Sequence, residues 1–224
     1  MTKLSTDTLS ILKNFSTINS NLIVKPGEPL STISEAKNIL AIATIAESFP
    51  QQFGIYDLNG FISVLDLIGE ADLDFSEDSV LVSSGKSKVK YRFADESILT
   101  SPSKKINMPS TDLSVELSVD SLNKIRKAGG ALGHSVVSIN GNSGVVSLSV
   151  IDPKNPTANT FSIVIDDDNA QKESFDFQFL ISNLKVLSGN YKVDISSKLI
   201  SHWTNQSAPI EYFIALEKTS TFNA

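Results

Sequence analysis

The chain has 224 residues, with 19 Lys and Arg against 25 Asp and Glu, and no cysteine. A net charge of −6 argues, at face value, against a nucleic-acid binder. The missing thiols exclude disulfides, thiolate nucleophiles and Cys-based zinc sites together.

The first residues, MTKLSTDTLS, hold no apolar run of signal-peptide length. The longest apolar stretch, Ile39 to Ala46, is too short to span a bilayer. The expectation is a soluble protein used in a cytoplasm. Next come the elements in chain order. Ser5, Thr6 and Asp7 precede Leu9, Leu12 and Phe15, the start signal of a helix. Strand-like runs follow at 21–24, 30–34 and 39–46. The stretch FGIYDLNGFISVLDLIG predicts a second helix, with Leu58, Phe61, Ile62 and Leu65 at helical spacing. Strands at 80–83 and 86–93 close this half.

Residues 100–112, TSPSKKINMPSTD, hold two prolines and no periodicity, and read as a linker. Splitting there gives domains 1–110 and 111–224. They carry 10 basic and 13 acidic residues against 9 and 12, so each nets −3. In the second half Asp120 is read as the cap of a helix bearing Leu122, Ile125 and Leu132, stopped by Gly129, Gly130 and Gly133. Strands are predicted at 136–140, 145–151 and 161–166, with an Asn140–Gly141 turn. FQFLISNLKVLSG predicts a short helix carrying Ile181, Leu184 and Leu187, and strands at 191–196, 198–203 and 210–216 finish the chain. The shared order of elements reads as an internal duplication, each copy with two helices against antiparallel strands, an α+β fold.

Catalytic constellations are missing from the sequence. His134 and His202 have no partner at metal-ligand spacing. No Walker loop, GxSxG or HExxH occurs. Asp166, Asp167 and Asp168 lack the downstream Gly and Glu of a calcium loop and read as a solvated loop or a charged interface.

The placement of charge is more informative. Opposite the apolar stripe, the first helix shows Thr6, Ser10, Lys13, Asn14 and Thr17, with Lys3 just before it. The second half's first helix shows Asn123 and Lys127, flanked by Lys124 and Arg126, and the last short helix shows Lys185. The helix with Asp66 and Glu70 breaks this trend. In GKSKVKYRFAD, Lys86, Lys88, Lys90 and Arg92 alternate with Val89, Tyr91 and Phe93. That pattern is either a lysine-protected edge strand or an edge that docks on an acidic partner such as Asp166–Asp168.

The segments LSTDTLSILKNFSTINS, IYDLNGFISVLDLI, LSGNYKV and YFIALE resemble the DNA polymerase sliding clamps of T-even-like bacteriophages. The resemblance implies a DNA-clamp fold: a trimeric ring of six similar domains, helices inward, threaded by double-stranded DNA. It implies a polymerase and a clamp-loader ATPase as partners, no cofactor, no metal, no catalytic residue, and the cytoplasm of an infected bacterial host. On this chain Lys3, Lys13, Asn14, Lys124, Arg126, Lys127 and Lys185 would face the DNA. Lys86, Lys88, Lys90 and Arg92 would meet Phe161, Ile163, Asp166, Asp167 and Asp168 across the subunit boundary. A partner pocket is expected beside the linker, from Ile106, Met108, Pro109, Tyr212 and Ile214. A structural phage β-domain protein and an enzyme with an unrecognised carboxylate site are the rival readings.

Overall fold

In the computed structural model, which describes residues 2–223, the backbone falls into two units, Met1–Lys105 and Ile106–Ala224. The division lies inside the stretch 100–112.

The first unit opens with α1 (Thr6–Ile18). Its N-cap is Ser5, whose hydroxyl accepts the Thr8 N–H. The Glu47 carboxylate accepts from the Ser5 N–H and the Thr8 hydroxyl, placing an anion at the positive end of the helix. Ile11, Leu12, Phe15 and Ile18 are buried along one face, at helical spacing. Short strands β1 (Leu22–Val24), β2 (Leu30–Ile33) and β3 (Ile39–Ala43) follow, then β4 (Phe53–Ile55), which pairs antiparallel with β1. Helix α2 (Leu58–Ile68) is capped by Asp57 and buries Leu58, Phe61, Ile62 and Leu65. It packs on α1 and on a meander of β5 (Asp72–Ser76), β6 (Ser79–Ser84) and β7 (Ser87–Arg92). Each such buried side chain contributes about 1.5–3 kcal/mol relative to exposure.

The second unit begins with β8 (Leu113–Leu117) and α3 (Val119–Leu132). The α3 cap is Ser118, whose hydroxyl accepts the Ser121 N–H, so the Asp120 cap is corrected: Asp120 lies in the first turn. One sheet runs in the order β11 (Phe161–Asp166), β10 (Val145–Ile151), β9 (Val136–Asn142), β12 (Ser174–Leu180), β16 (Thr221–Asn223). The other strands run β15 (Ile210–Ala215), β14 (Ile200–Asn205), β13 (Tyr191–Ser196), β8. Phe179 of β12 meets Trp203 of β14 edge-on at 5.9 Å, joining the two layers through the core.

Three expectations fail locally. The four-helix count is wrong: among the described residues there are three α-helices. FQFL lies in β12, and only a single 3-10 turn, Ile181–Asn183, follows it. Phe175, Phe177 and Phe179 alternate, which is a strand period. The hairpin turn is not at Asn140–Gly141 but at Ser143–Gly144, where both φ values are positive (53° and 88°), the geometry that suits strand twist. Gly141 stays inside β9, where a Cβ would lie 2.7 Å from the Phe175 ring. Of the three glycines, Gly133 ends α3 in the left-handed region (φ 68°). Gly129 is instead buried against Ile181.

Candidate nucleic-acid interface

On α1 the side chains of Thr6, Ser10, Lys13 and Thr17 are exposed, and Asn14 is half-buried. The Lys13 ammonium lies 3.1 Å from the Asp66 carboxylate of α2. The acid that broke the sequence trend therefore sits on the same surface as the lysine and neutralises it. Lys3, just before α1, lies 3.8 Å from Asp72. The remaining exposed positions of α2 are Asn59, Ser63, Leu67 and, just beyond it, Glu70. Leu67 is 77% exposed, a large apolar side chain on an otherwise polar face. A cleft of about 500 Å³, lined by Leu4, Leu9, Leu65, Asp66 and Glu70 among others, opens beside the start of α1.

Helix α3 has a different charge balance. Lys124 pairs with Asp120 one turn earlier, at 2.7 Å. Arg126 is half-buried, and its guanidinium donates to the Leu184 carbonyl at 2.9 Å. That bond ties the helix to the loop after the 3-10 turn. Lys127 is exposed and has no ion-pair or hydrogen-bond partner among the described residues. Lys185 is exposed but stands on a loop, which corrects its assignment to a helix face.

The lysine-rich strand is β7, at one edge of the three-stranded meander. Lys86 is not on it, because it occupies the tight turn with Gly85. Lys88, Lys90 and Arg92 point outward, and the last two reach Asp78 of the same subunit. The hydroxyl of Ser79, then the charges of Lys90 and Arg92, hold the Asp78 carboxyl below its ordinary value. Tyr91 is not available for docking. Its ring meets Phe61 at 5.0 Å, and its hydroxyl donates to the Asp57 carbonyl at 2.9 Å. Phe93 stacks on Phe53 at 4.9 Å.

Strand β11 is one edge of the five-stranded sheet. Phe161 and Ile163 are half-buried, while Val164 is 62% exposed. Asp166 folds the acidic loop back on itself, accepting from the Asp168 N–H and from the Asn169 amide. Asp167 is exposed, and Asp168 pairs with Lys172 at 3.5 Å.

The expected partner pocket is only partly on the surface. Ile106 and Met108 are half-buried and Pro109 is exposed, but Tyr212 and Ile214 are fully buried in β15. They are core residues and line no open surface. Burial pushes the Tyr212 hydroxyl well above the usual phenol range. That hydroxyl accepts the Leu187 N–H, while Tyr191 donates to the Leu187 carbonyl, so the pair straps the 184–190 loop onto the sheet. Sequence reasoning did not find this strap, since nothing local to either tyrosine points to it. His134 meets the Asn159 carbonyl at 2.9 Å, and His202 meets Glu211 at 2.7 Å and stacks on Phe213. No group of His, Asp or Glu suited to a metal occurs among the described residues. Nor is any described helix long and apolar enough to cross a membrane.

Two family models cover most of the chain. One described as DNA polymerase processivity factor matches residues 5–100, and one described as gp45 sliding clamp, C terminal, matches 114–218. A protein named sliding clamp from Vibrio phage KVP40 is 33% identical over 222 residues, covering 96% of this chain and 99% of that one. The sliding clamp of Enterobacteria phage T4 is 28% identical, with 98% of each chain covered. Among solved structures, the Proliferating Cellular Nuclear Antigen of Entamoeba histolytica aligns over 94% of this chain and 95% of its own. Its TM-score is 0.67 at 16% identity. The pol III beta protein of Caulobacter crescentus aligns over 98% of this chain and 67% of its own, with a TM-score of 0.67 at 14% identity. The fold is the α+β clamp fold.

Proposed function

This chain belongs to the phage sliding-clamp family of DNA polymerase processivity factors, and from that membership we propose how its surfaces do the work. Three copies close into a ring whose six domains, 1–110 and 111–224 of each subunit, turn their helices toward a central hole. Double-stranded DNA passes through it without base-specific contacts, and the replicative polymerase is held near its primer end by attachment to the ring. A clamp-loader ATPase opens and closes the ring, in the cytoplasm of an infected bacterium. The action is topological and needs no catalytic group.

The observation that supports ring closure is the pair of unpaired sheet edges with opposite character. Strand β7 shows Lys88, Lys90 and Arg92, whereas β11 ends at Asp166 and runs into a loop with Asp167 and Asp168. Head-to-tail pairing of two different edges generates a ring when the rotation closes. Lys88 supplies the attraction, since Lys90 and Arg92 already reach Asp78 and Tyr91 and Phe93 are packed inside the subunit. The half-exposed Phe161 and Ile163 and the exposed Val164 supply the apolar part. Ile106, Met108 and Pro109 remain the candidate rim for the polymerase's attachment, without Tyr212 and Ile214.

The test is mass in solution together with DNA topology. The protein should sediment at three times 24.2 kDa. Loaded rings should stay on circular or end-blocked DNA and run off free linear ends. A monomer at micromolar concentration, or equal retention on both DNAs, overturns the reading. Lys88→Glu with Lys90→Glu should shift the trimer toward monomer, more strongly at low salt. An unshifted mass removes β7 from the interface.

A further inference from the structure

The helix surfaces are not evenly charged, and the ion pairs make them less even still. α1 holds one acid and one base, Asp7 and Lys13, and α2 holds Asp66 alone. In α3, Asp120 faces Lys124, Arg126 and Lys127. Lys13 is neutralised by Asp66, Lys3 lies beside Asp72, and Lys124 is neutralised by Asp120. Arg126 is committed to the Leu184 carbonyl and half-withdrawn from solvent. Among the cations expected to face DNA from the helices, Lys127 alone is exposed with no acidic partner among the described residues.

We propose that Lys127 of each subunit makes the dominant phosphate contact of the ring, while Asp66 and Asp120 hold Lys13 and Lys124 out of competition. This rests on the clamp reading given above. A lysine beside a carboxylate presents a nearly neutral pair to a phosphate, so it displaces few condensed counterions and its net gain from DNA is small. An unpaired lysine gives up only water and releases a condensed counterion. The helix faces are therefore built for weak contact: three strong points around the ring, with neutral pairs between them. Such a surface permits sliding, because few contacts must break at each step. The acids are part of the device. Removing one frees a lysine and strengthens binding, the opposite of what a merely structural ion pair predicts.

The experiment measures binding of a short fluorescent linear duplex, which threads the preformed ring without a loader, as a function of salt. With three Lys127 contacts the slope of log affinity against log salt is about −2.7, at about −0.9 per phosphate. Lys127→Ala should bring that slope close to zero. Asp66→Asn should steepen it toward about −5.4, by freeing three Lys13 side chains. Lys13→Ala combined with Asp66→Asn, which removes both members of the pair, should leave it nearly unchanged. A Lys127→Ala ring with the wild-type slope, or an Asp66→Asn ring that binds no tighter, overturns the proposal. Each variant is checked for trimer mass. If the wild-type protein is a monomer or fails to bind the duplex, the clamp reading itself has failed, and the two failures are thereby distinguished.

Discussion

Gly129 and Gly130 are neighbours in α3, and the same substitution should act on them in opposite directions. Glycine in a helix interior costs about 0.5–1 kcal/mol relative to alanine. At Gly130 a new Cβ meets nothing within 4 Å, so Gly130→Ala should stabilise by about that amount. At Gly129 the new Cβ lies 2.4 Å from the Ile181 Cδ1 and 3.2 Å from the His134 carbonyl oxygen. The first contact forces Ile181 out of its position, and the second is backbone and yields little. Overpacking of this kind costs about 1–3 kcal/mol. After the propensity gain, Gly129→Ala should be destabilising by about 1 kcal/mol. The assay is urea unfolding at a fixed protomer concentration, because assembly contributes to apparent stability. Adding Ile181→Val, which removes the offending Cδ1, should return about 1 kcal/mol beyond the sum of the single effects. A Gly129→Ala protein as stable as Gly130→Ala would refute the close packing of the 3-10 turn against α3.

Two other outcomes follow from buried polar groups. Tyr212→Phe strands the Leu187 N–H and should cost about 1–3 kcal/mol; hydrogen exchange at that amide should accelerate, and an unchanged exchange rate would show that the strap does not restrain the loop. The Glu47 carboxyl is pulled in two directions, since partial burial raises it, but bonds from the Thr8 hydroxyl and the Ser5 N–H outweigh burial and leave it lowered. Its contribution is then fully present above the ordinary glutamate value of about 4.3 and is lost as pH falls through the lowered one. Glu47→Gln should cost about 0.3–1 kcal/mol at neutral pH and flatten the acid limb of a stability–pH curve; an unaltered limb would remove Glu47 from the capping of α1.

The helices α1 and α2 were legible because their buried residues recur at helical spacing behind a capping Ser or Asp. The strands at 145–151 and 161–166 were legible from their alternation, although the turn before the first was placed at Asn140–Gly141 rather than Ser143–Gly144. Leu113, Val115 and Leu117 alternate perfectly with exposed positions, yet lie beside a proline- and serine-rich stretch that masks them. Phe175, Phe177 and Phe179 carry the same signal, overruled by the apolar run that continues into Leu184. In the candidate site, the outward lysines were legible and their partners were not. The Lys13–Asp66 pair spans 53 residues, and nothing local to either residue announces it. Tyr212 and Ile214 were placed at a pocket because strand periodicity does not reveal that both faces of β15 are covered. In that strand Tyr212, Phe213 and Ile214 are buried in succession.

The missing fourth helix and the charge asymmetry are one fact seen twice. In the first unit, eleven helical residues stand beside α1, and one of their outward positions is Asp66, which cancels Lys13. In the second unit, the corresponding stretch is spent on β12 and a single turn. No second helix can then present an acid to α3. What lies there instead is the 184–190 loop, which offers Arg126 a carbonyl and carries Lys185, a further cation. Replacing a helix by a loop thus leaves α3 with a charge that α1 does not keep. If Lys127 is the principal phosphate contact, that property traces back to alternating phenylalanines that made a strand where a helix would otherwise have formed.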